Sequence, residues 1–368
     1  MRQDIGFGTV GFGMIARTHL FGIQVNRAAH PDGPRAYPRA LCTRRPEMVE
    51  GMPYEAVYTN PDELIADSKV LVVDICTPNN LHVPVAAQAL KAGKALYIEK
   101  PLSHNLAEAE TLCALSTQMN LPNQVAFVMR FRPDVCRMKD LLEAGTIGKV
   151  LHFRACFFHG SYLDPNRPAS WRQNLTQSGG GAIMDLGIHL LDLVRFLLSR
   201  EVSDLRAVMR TVNKKRYTDE SRGAMVDNDT DEYACAQLRM EDGTVGVVEC
   251  SRVSDSTIGN QFFEVFGDKG SLVLQLDVPD SVRLITPNGA GQRVVRGEAA
   301  GPYEASLLPL LPGSRQTMGP FMDAHAAAIA NIARLTAGLP GFIGTPDIAE
   351  GVKAQQLVVR CLEAAQWS

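Results

Sequence analysis

Short apolar runs alternate with longer amphipathic stretches over the first 130 residues of the chain. Residues 5–10 form an apolar run ending in glycines, and residues 14–29 then show helical periodicity. The run VLVVDICTP at 70–78 is typical of a strand buried on both faces of a parallel sheet. Repetition of this unit predicts an α/β domain with a doubly wound parallel sheet. The other elements are predicted as strands at 40–42, 95–99 and 124–129 and helices at 60–67, 81–93 and 105–120.

The pattern changes after residue 130, where a linking helix at 132–145 is followed by strands with alternating apolar and polar positions. Short EDG and GDKG turns join neighbouring strands, which predicts hairpins and a largely antiparallel sheet with an inserted helix at 179–192. The predicted domains are 1–130 and 131–368, and the C-terminal helix could pack back on the first. Strands are predicted at 149–159, 232–240, 243–251, 261–267 and 270–275, with further helices at 318–338 and 346–366.

Composition narrows the class of protein without identifying it. The 368 residues are 45% hydrophobic and 21% charged, with a net charge of −3, which is typical of a globular protein and favours no nucleic-acid or acidic-membrane partner. No apolar run approaches the roughly 20 residues of a membrane span. The N-terminus resembles no signal peptide, and the eight cysteines are scattered without a C-x-x-C pair. We therefore expect free thiols and a cytoplasmic location.

The segment GFGMIA after the first strand has the G-x-G-x-x-G/A spacing of a dinucleotide-binding loop. Gly11 permits the tight turn, Gly13 lets the backbone approach a pyrophosphate, and Ala16 allows close helix–strand packing. The following helix N-terminus supplies amide donors and a partial positive charge. The expected cofactor contacts in this loop are Gly11, Phe12, Gly13, Met14 and Ile15.

The end of the second strand indicates which dinucleotide is bound. NAD sites usually place an acidic residue there, but this chain has Thr43, Arg44 and Arg45. A hydroxyl and guanidinium groups suit a 2′-phosphate, which favours NADP. If the two arginines are simply solvated at a helix start, NAD remains possible.

Asp185 and His189 lie four residues apart within the apolar segment GAIMDLGIHLLD at 181–192. That spacing places them on one face of a helix, where buried polar groups are costly unless they are paired or used. Asp192 shares the face, so a metal site is conceivable. It would lack a cysteine or a second histidine nearby, and we expect no metal.

Two other polar features interrupt the pattern. Asp74 lies inside an apolar strand, and we expect it to have a local hydrogen-bond partner. The run DNDTDE at 227–232 could face a pocket, although charge runs are usually solvated.

Three segments in this order, DICTPNNLH (74–82), YIEKPLSHN (97–105) and GGGAIMDLGIHLLD (179–192), resemble those of the Gfo/Idh/MocA oxidoreductases. The resemblance covers nearly the whole chain. It implies an N-terminal Rossmann domain and a C-terminal substrate-binding and oligomerisation domain with a large open sheet. It also implies that the nicotinamide and the substrate meet between the two domains, and that the substrate is a sugar or cyclitol.

Residue roles follow from the matching motifs. The resemblance implies that Lys100 is the catalytic lysine beside the nicotinamide, and that Asp185 and His189 complete the catalytic group. It implies further cofactor contacts at Thr77, Pro78, Asn79, His82, Glu99, Pro101, Trp171 and Arg172. Arg130 is a further expected cofactor contact, because it follows the sixth predicted strand and should border the pocket. Candidate substrate contacts, besides the catalytic residues, are Arg130, His159, Tyr162 and Asn166.

Elementary chemistry agrees with these assignments. Oxidation of a secondary alcohol needs a base for the hydroxyl proton, and histidine suits that role near neutral pH. A carboxylate can orient the imidazole or accept from a neighbouring substrate hydroxyl, and a lysine ammonium can stabilise the developing alkoxide. Two alternatives stay open: a hydrolase or lyase that uses tightly bound NAD for transient oxidation, and a non-catalytic dinucleotide sensor.

The second domain also suggests self-association. Apolar residues on its strands, such as Val245, Val247, Phe263 and Val265, cannot all cover the inserted helices. An uncovered sheet face of this kind marks an interface, so we expect a homodimer or homotetramer formed through the C-terminal sheet.

Overall fold

The computed structural model describes residues 3–255, 260–278, 282–287, 291–294, 300–313 and 317–367. The chain divides into two compact units. Unit 1 comprises Met1–Arg132 and Pro302–Val352, and unit 2 comprises Pro133–Gly301 and Lys353–Ser368. Residues 302–352, which we had expected in the second domain, therefore belong with the first.

The helices are α1 Met14–Ala29, α2 Pro61–Ala66, α3 His82–Lys91, α4 Leu106–Met119, α5 Pro133–Glu143, α6 Leu175–Ser178, α7 Ile188–Leu198, α8 Pro302–Leu307, α9 Pro320–Thr336 and α10 Ile348–Ala364. The strands are β1 Gln3–Val10, β2 Pro34–Cys42, β3 Ala56–Tyr58, β4 Val72–Ile75, β5 Ala95–Ile98, β6 Asn123–Val125, β7 Val150–Phe158, β8 Val202–Arg210, β9 Lys215–Tyr217, β10 Met225–Asp227, β11 Tyr233–Met240, β12 Val245–Ser251, β13 Gln261–Gly267, β14 Gly270–Gln275, β15 Val282–Ile285, β16 Gly291–Val294 and β17 Ala365–Trp367. None of the helices in the described ranges has the length and apolar character of a membrane span.

Unit 1 is built on a parallel sheet with the strand order β3-β2-β1-β4-β5-β6. The order reverses between β1 and β4, which is the switch point of a doubly wound Rossmann fold. Local signals explain several helix boundaries: the Asn60 and Asn105 side chains cap α2 and α4, and Gly93 follows α3 with a φ of +75°. The predicted doubly wound sheet is confirmed.

The sequence prediction overextended the last strand of this sheet. We expected a strand over 124–129, but β6 ends at Val125 and a 3₁₀ turn occupies Val128–Phe131. The reason is that an apolar run alone cannot distinguish a buried strand from other buried backbone.

Residues 302–352 join unit 1 because α9 packs on α1. The contact is close: a Cβ added to Gly22 of α1 would lie 3.3 Å from Ile329 of α9. Small residues on α9, among them Ala326 and Ala330, are almost fully buried there. Nothing in the local periodicity of this helix indicates which domain it covers.

Unit 2 contains a nine-stranded sheet in the order β16-β15-β14-β13-β7-β12-β11-β8-β17. The pairs β7–β12 and β8–β17 are parallel and the other neighbours in this order are antiparallel, so the sheet is mixed but mostly antiparallel, as predicted. The hairpins β11–β12 and β13–β14 are the ones that the EDG and GDKG turns indicated.

The two faces of this sheet differ in burial. Phe263 and Val265 are fully buried, so of the four residues named above these two do not lie on an uncovered face. Val245 is 47% exposed and Val247 is half-buried, which fits the opposite face. Because side chains alternate between faces along a strand, only one of the two apolar sets can pack on the helices.

The helix predicted at 179–192 contains a π turn at Ile183–Gly187 before α7 begins. A π turn closes i→i+5 hydrogen bonds, so Asp185 and His189 remain about one turn apart on the same side. Close packing explains the glycines here: a Cβ on Gly181 would lie 1.8 Å from the Asp231 carbonyl oxygen. π turns of this kind occur frequently at functional sites.

Candidate active site

The glycine loop joins β1 to α1 in the conformation that dinucleotide binding requires. Gly11 has a φ of +92°, and a Cβ there would lie 2.8 Å from the Cys76 carbonyl oxygen. No described protein atom lies within 4 Å of a Cβ position on Gly13, the residue that precedes α1. No side chain caps the α1 N-terminus, so its amides are available for an anion.

The rest of the loop is accessible. The Met14 side chain is 86% exposed, and Ile15 is half-buried. The Phe12 ring makes an edge contact with Tyr54 at 6.1 Å, and the Arg17 guanidinium lies 5.4 Å from the Phe12 ring centre. Arg17 was not singled out from the sequence, because a charged residue one turn into a helix is usually a solvated one.

The segment after β2 lies beside this loop, because Gly11 N–H donates to the Cys42 carbonyl at 2.9 Å. Thr43 N–H donates to Tyr58 of β3 at 3.0 Å, which fixes its backbone. The side chains of Arg44 and Arg45 are both exposed. The residues that we expected to choose the cofactor therefore follow the neighbouring strand, at the same edge of the sheet as the glycine loop.

The loop after β4 is tied to the loop after β5 through His82. The His82 imidazole is almost fully buried, with Nδ1 2.8 Å from the Pro101 carbonyl oxygen and Nε2 2.9 Å from that of Thr77. Burial lowers the pKa of His82. The Thr77 hydroxyl is buried without a hydrogen-bond partner among the described residues, and Pro78 and Asn79 follow it. An orphaned hydroxyl at this edge fits a site that takes a polar ligand.

Glu99, the first residue of the Glu99-Lys100-Pro101 motif, is anchored beneath the sheet edge by a buried histidine. His19 of α1 is fully buried, with Nε2 3.1 Å from Glu99 Oε1 and Nδ1 2.8 Å from Asp74 Oδ1. Thr9 Oγ1 donates to the other Asp74 oxygen at 3.1 Å. Asp74 therefore has hydrogen-bond partners, as expected, although they lie 65 and 55 residues away in sequence. Lys100 itself is half-buried.

The electrostatics of this cluster follow from the two carboxylates. Burial acts to lower the pKa of His19, but the charges of Cys76 and Asp74 outweigh it and hold that pKa well above its usual value. Burial would raise the pKa of Glu99, but the hydrogen bond and charge of His19, together with Lys100, lower it to about 2. His19 therefore carries a buried positive charge between two anions.

His325 of α9 completes the cluster. Its ring centre lies 5.3 Å from that of His19, and neither ring nitrogen has a hydrogen-bond partner among the described residues. Burial and the His19 charge lower the pKa of His325 to about 3, so this imidazole is neutral. Sequence analysis missed both histidines. The signal for His19 was its position on the same helical face as Ala16 and Ile23, which are buried.

One group of potential metal ligands occurs among the described residues, and it lies in this cluster. The ligand atoms of His19, Asp74 and Cys76 lie within 4.8 Å of one another. Cys76 Sγ lies 3.3 Å from His19 Nδ1, and that nitrogen already lies at hydrogen-bond distance from Asp74. These contacts are those of a hydrogen-bonded charge cluster, and the group differs from the Asp185, His189 and Asp192 set considered above.

Arg130 occupies the turn after β6 and is held within unit 1. Its side chain is 4% exposed, and Nη2 lies 2.9 Å from Glu350 Oε2. Nη1 donates to the Gly344 carbonyl at 3.5 Å. Arg130 thus ties the turn to residues near the start of α10, and the cofactor or substrate contact that we expected of it stays a prediction.

In unit 2 the candidate carboxylate is paired with an arginine that sequence analysis missed. Arg252 follows β12, and its Nη2 donates to Asp185 Oδ2 at 2.9 Å. The Arg252 side chain is 2% exposed, whereas that of Asp185 is 25% exposed. His189 is buried in the first turn of α7, with its ring 6.2 Å from that of Phe157. Nothing local could have indicated a partner 67 residues away.

The loop at 159–172 brings one of its candidates to this pair. Tyr162 is 6% exposed, and the guanidinium groups of Arg167, Arg216 and Arg252 lie 4.4, 5.3 and 5.3 Å from its ring centre. Tyr162 therefore packs directly against the arginine that holds Asp185, and its ring gains from the surrounding cations.

The other loop candidates make local contacts. His159 Nδ1 accepts from the Ser161 amide at 3.2 Å, and the Asn166 amide donates to Asp164 at 2.8 Å. Trp171 lies under the Arg172 guanidinium at 4.4 Å, and both residues fall between Ser170 and Gln173, which form a capping box. These contacts stabilise turns and leave the proposed ligand contacts of the four residues as predictions.

The acidic run at 227–232 is mostly interior, so the expectation of a solvated run is wrong. Asn228, Thr230, Asp231 and Glu232 are each 6% exposed or less. Glu232 Oε1 accepts from Arg216 at 2.7 Å, and Arg216 is fully buried. Buried cations from other segments balance the negative charges of this run. The order of charges along the sequence does not indicate such pairing.

The glycine loop and the strand order of unit 1 are those of a dinucleotide-binding Rossmann domain, and comparison with known proteins assigns the chain to the NAD-binding oxidoreductases. Residues 5–127 match the model "Oxidoreductase family, NAD-binding Rossmann fold", and residues 135–273 match the Gfo/Idh/MocA C-terminal domain. The chain belongs to the Gfo/Idh/MocA oxidoreductase family.

Several relatives have assigned activities. The chain is 28% identical over 329 residues to a levoglucosan dehydrogenase of Pseudarthrobacter phenanthrenivorans, covering 84% of each chain. It is 34% identical over 148 residues to a D-xylose 1-dehydrogenase [NADP(+)] of Haloarcula marismortui, covering 39% of this chain and 40% of the relative. The structure of a levoglucosan dehydrogenase in complex with NADH and L-sorbose superposes with a TM-score of 0.88 at 26% identity, covering 98% of this chain and 96% of that one.

Proposed function

We propose that this oxidoreductase transfers hydride between a nicotinamide cofactor and a secondary alcohol or ketone carbon of a sugar, anhydrosugar or cyclitol. The observation that carries the proposal is the pairing of Asp185 on the π turn with His189 in the first turn of α7, where Asp185 is one-quarter exposed and held by Arg252. The Glu99-Lys100-Pro101 motif at the end of β5 supports it, since Glu99 is anchored by His19. The activities of the levoglucosan and xylose dehydrogenases support the substrate class.

The proposed roles follow from the chemistry of each side chain. His189 accepts the hydroxyl proton in oxidation and returns it in reduction. The Lys100 ammonium stabilises the developing alkoxide, and Asp185 accepts a hydrogen bond from a substrate hydroxyl. The nicotinamide, when bound, supplies the hydride chemistry.

Cofactor binding is proposed to use the loops at the carboxyl edge of the parallel sheet. The residues fit a dinucleotide, because Gly13 leaves room for the pyrophosphate and the α1 amides lack a side-chain cap. We propose NADP as the preferred form, supported by exposed Arg44 and Arg45 beside Thr43. NAD is the alternative, and the NADH complex of the levoglucosan dehydrogenase relative favours it.

A cofactor-reduction screen tests the proposal. NAD and NADP are each offered with monosaccharides, anhydrosugars and inositols, and nicotinamide absorbance is followed for the wild type and the Lys100→Ala and His189→Ala variants. Net reduction that depends on both residues supports a dehydrogenase. Substrate cleavage or elimination without net cofactor reduction would indicate the transient-oxidation alternative. Absence of any turnover, with tight dinucleotide binding, would indicate a sensor.

Self-association through the exposed face of the unit 2 sheet is also proposed. Val245 on β12 is 47% exposed and Val208 on β8 is 45% exposed, and one strand, β11, separates β12 from β8 in the sheet. Exposed apolar residues on an open sheet favour a homodimer or homotetramer.

A further inference from the structure

The ion pair between Arg252 and Asp185 joins a buried cation to a partly exposed carboxylate. Arg252 Nη2 donates to Asp185 Oδ2 at 2.9 Å, and only the aspartate has substantial solvent exposure. A charged donor so deeply buried shapes the charge and orientation of the carboxylate with little screening by water. Arg252 is thus the buried cation of the pair, and Asp185 is the anion that solvent can reach.

The backbone of Arg252 is fixed by hydrogen bonds to two other segments of unit 2. The Arg252 amide donates to the Glu232 carbonyl at 2.8 Å, and its carbonyl accepts from the Tyr162 amide at 3.0 Å. The Tyr162 ring lies 5.3 Å from the guanidinium carbon. Because Glu232 and the loop containing Tyr162 both hold Arg252, it can hold Asp185 in one orientation relative to the sheet.

A second carboxylate, Asp231, lies close enough to influence Arg252 but is committed elsewhere. Its two oxygens accept from the amides of Gly181 and Ile183 at 2.7 and 2.8 Å. Burial acts to lower the pKa of Arg252, and the charge of Asp185 is the largest influence that raises it, ahead of Tyr162 and Asp231. Asp185 is therefore the principal anion of Arg252.

We propose that Arg252 is a positioning residue that holds the Asp185 carboxylate charged and correctly oriented, so that Asp185 recognises a hydroxyl of an uncharged polyol. The inference rests on the proposed function and deepens it. A fixed carboxylate accepts from hydroxyl donors and repels anionic sugars such as uronates and sugar phosphates. The competing interpretation is that the pair only stabilises unit 2.

Other groups in unit 2 that titrate or carry charge near this pair are His189 on the next turn, Asp231 before β11, Tyr162 in the 159–172 loop and Cys250 at the end of β12. A change in the kcat/KM–pH profile can therefore be attributed to Asp185 only if the Asp185→Asn variant abolishes it.

A double-mutant cycle tests the inference. Arg252→Met, Asp185→Asn and the double variant are compared in kcat and KM on the best neutral polyol. We expect Arg252→Met to lower kcat/KM about 10-fold or more, the loss expected for a charge-assisted hydrogen bond. In the Asp185→Asn background the same change should cost less than about 3-fold, because the group through which Arg252 acts is already gone.

Arg216→Met is the matched control. Arg216 is also fully buried, pairs with Glu232 and lies 5.3 Å from the Tyr162 ring, so its loss reports on structural damage to the same part of unit 2 with the Arg252–Asp185 pair left in place. Arg216→Met should lower the melting temperature and leave the acid limb of the kcat/KM–pH profile in place. Arg252→Met should move that limb to higher pH, and Arg252→Lys, which keeps the charge, should restore it.

A measurement without turnover separates this inference from the proposed function. The ¹³C resonance of the Asp185 carboxyl, assigned by its absence in Asp185→Asn, is titrated in the wild type and in Arg252→Met, or in Arg252→Lys and Arg252→Gln if the methionine variant does not fold. We expect the Asp185 titration midpoint to rise when the cation is lost. An unchanged midpoint, or full additivity in the cycle, would overturn the role of Arg252. Absence of polyol turnover with a shifted midpoint would overturn only the dehydrogenase proposal.

Discussion

Replacing His19 with glutamine removes the buried positive charge that lies between Asp74 and Glu99. Both carboxylates then lose their buried cationic partner. Glutamine keeps a polar side chain of similar size, so the change isolates the charge. The other titratable groups around His19 are Cys76 after β4, Tyr97 on β5 and His325 on α9. Breaking a buried ion pair by removing one partner typically destabilises a protein by about 3–5 kcal/mol. We expect a loss in this range for unit 1 near neutral pH.

The pH dependence gives a sharper signature. The folded pKa of His19 is raised above 6.5, its usual value, so the folded state binds more protons than the unfolded state at higher pH. The stability that His19 contributes is therefore complete below pH 6.5 and is lost as pH rises toward the folded pKa, by about 1.4 kcal/mol per pH unit. In the wild type we therefore expect the stability of unit 1 to fall between pH 7 and pH 9, at no more than this rate. His19→Gln should lack that slope.

Calorimetry at pH 7, 8 and 9 measures both quantities. Two compact units need not unfold together, so the transition of unit 1 is identified as the one that added dinucleotide shifts upward. His152→Gln, at an exposed position of unit 2, controls for loss of an imidazole. The reasoning fails if His19→Gln costs less than about 1 kcal/mol or retains the wild-type slope between pH 7 and pH 9.

Three further outcomes are expected. The pKa of His325 is lowered to about 3, so its contribution to stability is lost as pH falls below 6.5; His325→Phe should recover up to about 2 kcal/mol at pH 5, measured by calorimetry. Lys100→Ala and His189→Ala should each lower turnover by at least ~10², while dinucleotide affinity changes much less for His189→Ala, measured by steady-state kinetics and cofactor titration. NADP should bind at least ~10-fold tighter than NAD at low salt, and the double variant Thr43→Asp with Arg44→Ala should bind NAD more tightly than NADP. Equal or tighter binding of NAD by the wild type would contradict the proposal that the arginines bind the 2′-phosphate.

Sequence reasoning succeeded where the determining interactions are local. The glycine loop and α1 were predicted with the bounds that the structure shows, because Gly11, Gly13 and the helical periodicity of Met14–Ala29 act within a few residues of one another. The hairpins of unit 2 were predicted for the same reason, since their turns set the pairing.

It failed where the partner is distant in sequence. Asp74 was recognised as anomalous, but His19 lies 55 residues before it and gave no sign of its charge. The run at 227–232 was expected to be solvated, because the buried Arg216 that compensates Glu232 belongs to another strand. Likewise, α9 belongs to unit 1 because it packs against α1, and the sequence of α9 by itself does not indicate this.

The two units share one electrostatic arrangement behind the residues proposed to act in catalysis. In unit 1, His19 fixes the Glu99 carboxylate adjacent to Lys100; in unit 2, Arg252 fixes Asp185 one turn before His189. Each buried cation comes from an element outside the recognisable motif, so motif identity alone does not guarantee the charge state of the motif residues. A relative with the same Lys, Asp and His but an apolar residue at either cation position should therefore fold with the same motifs and differ in the pH at which it works.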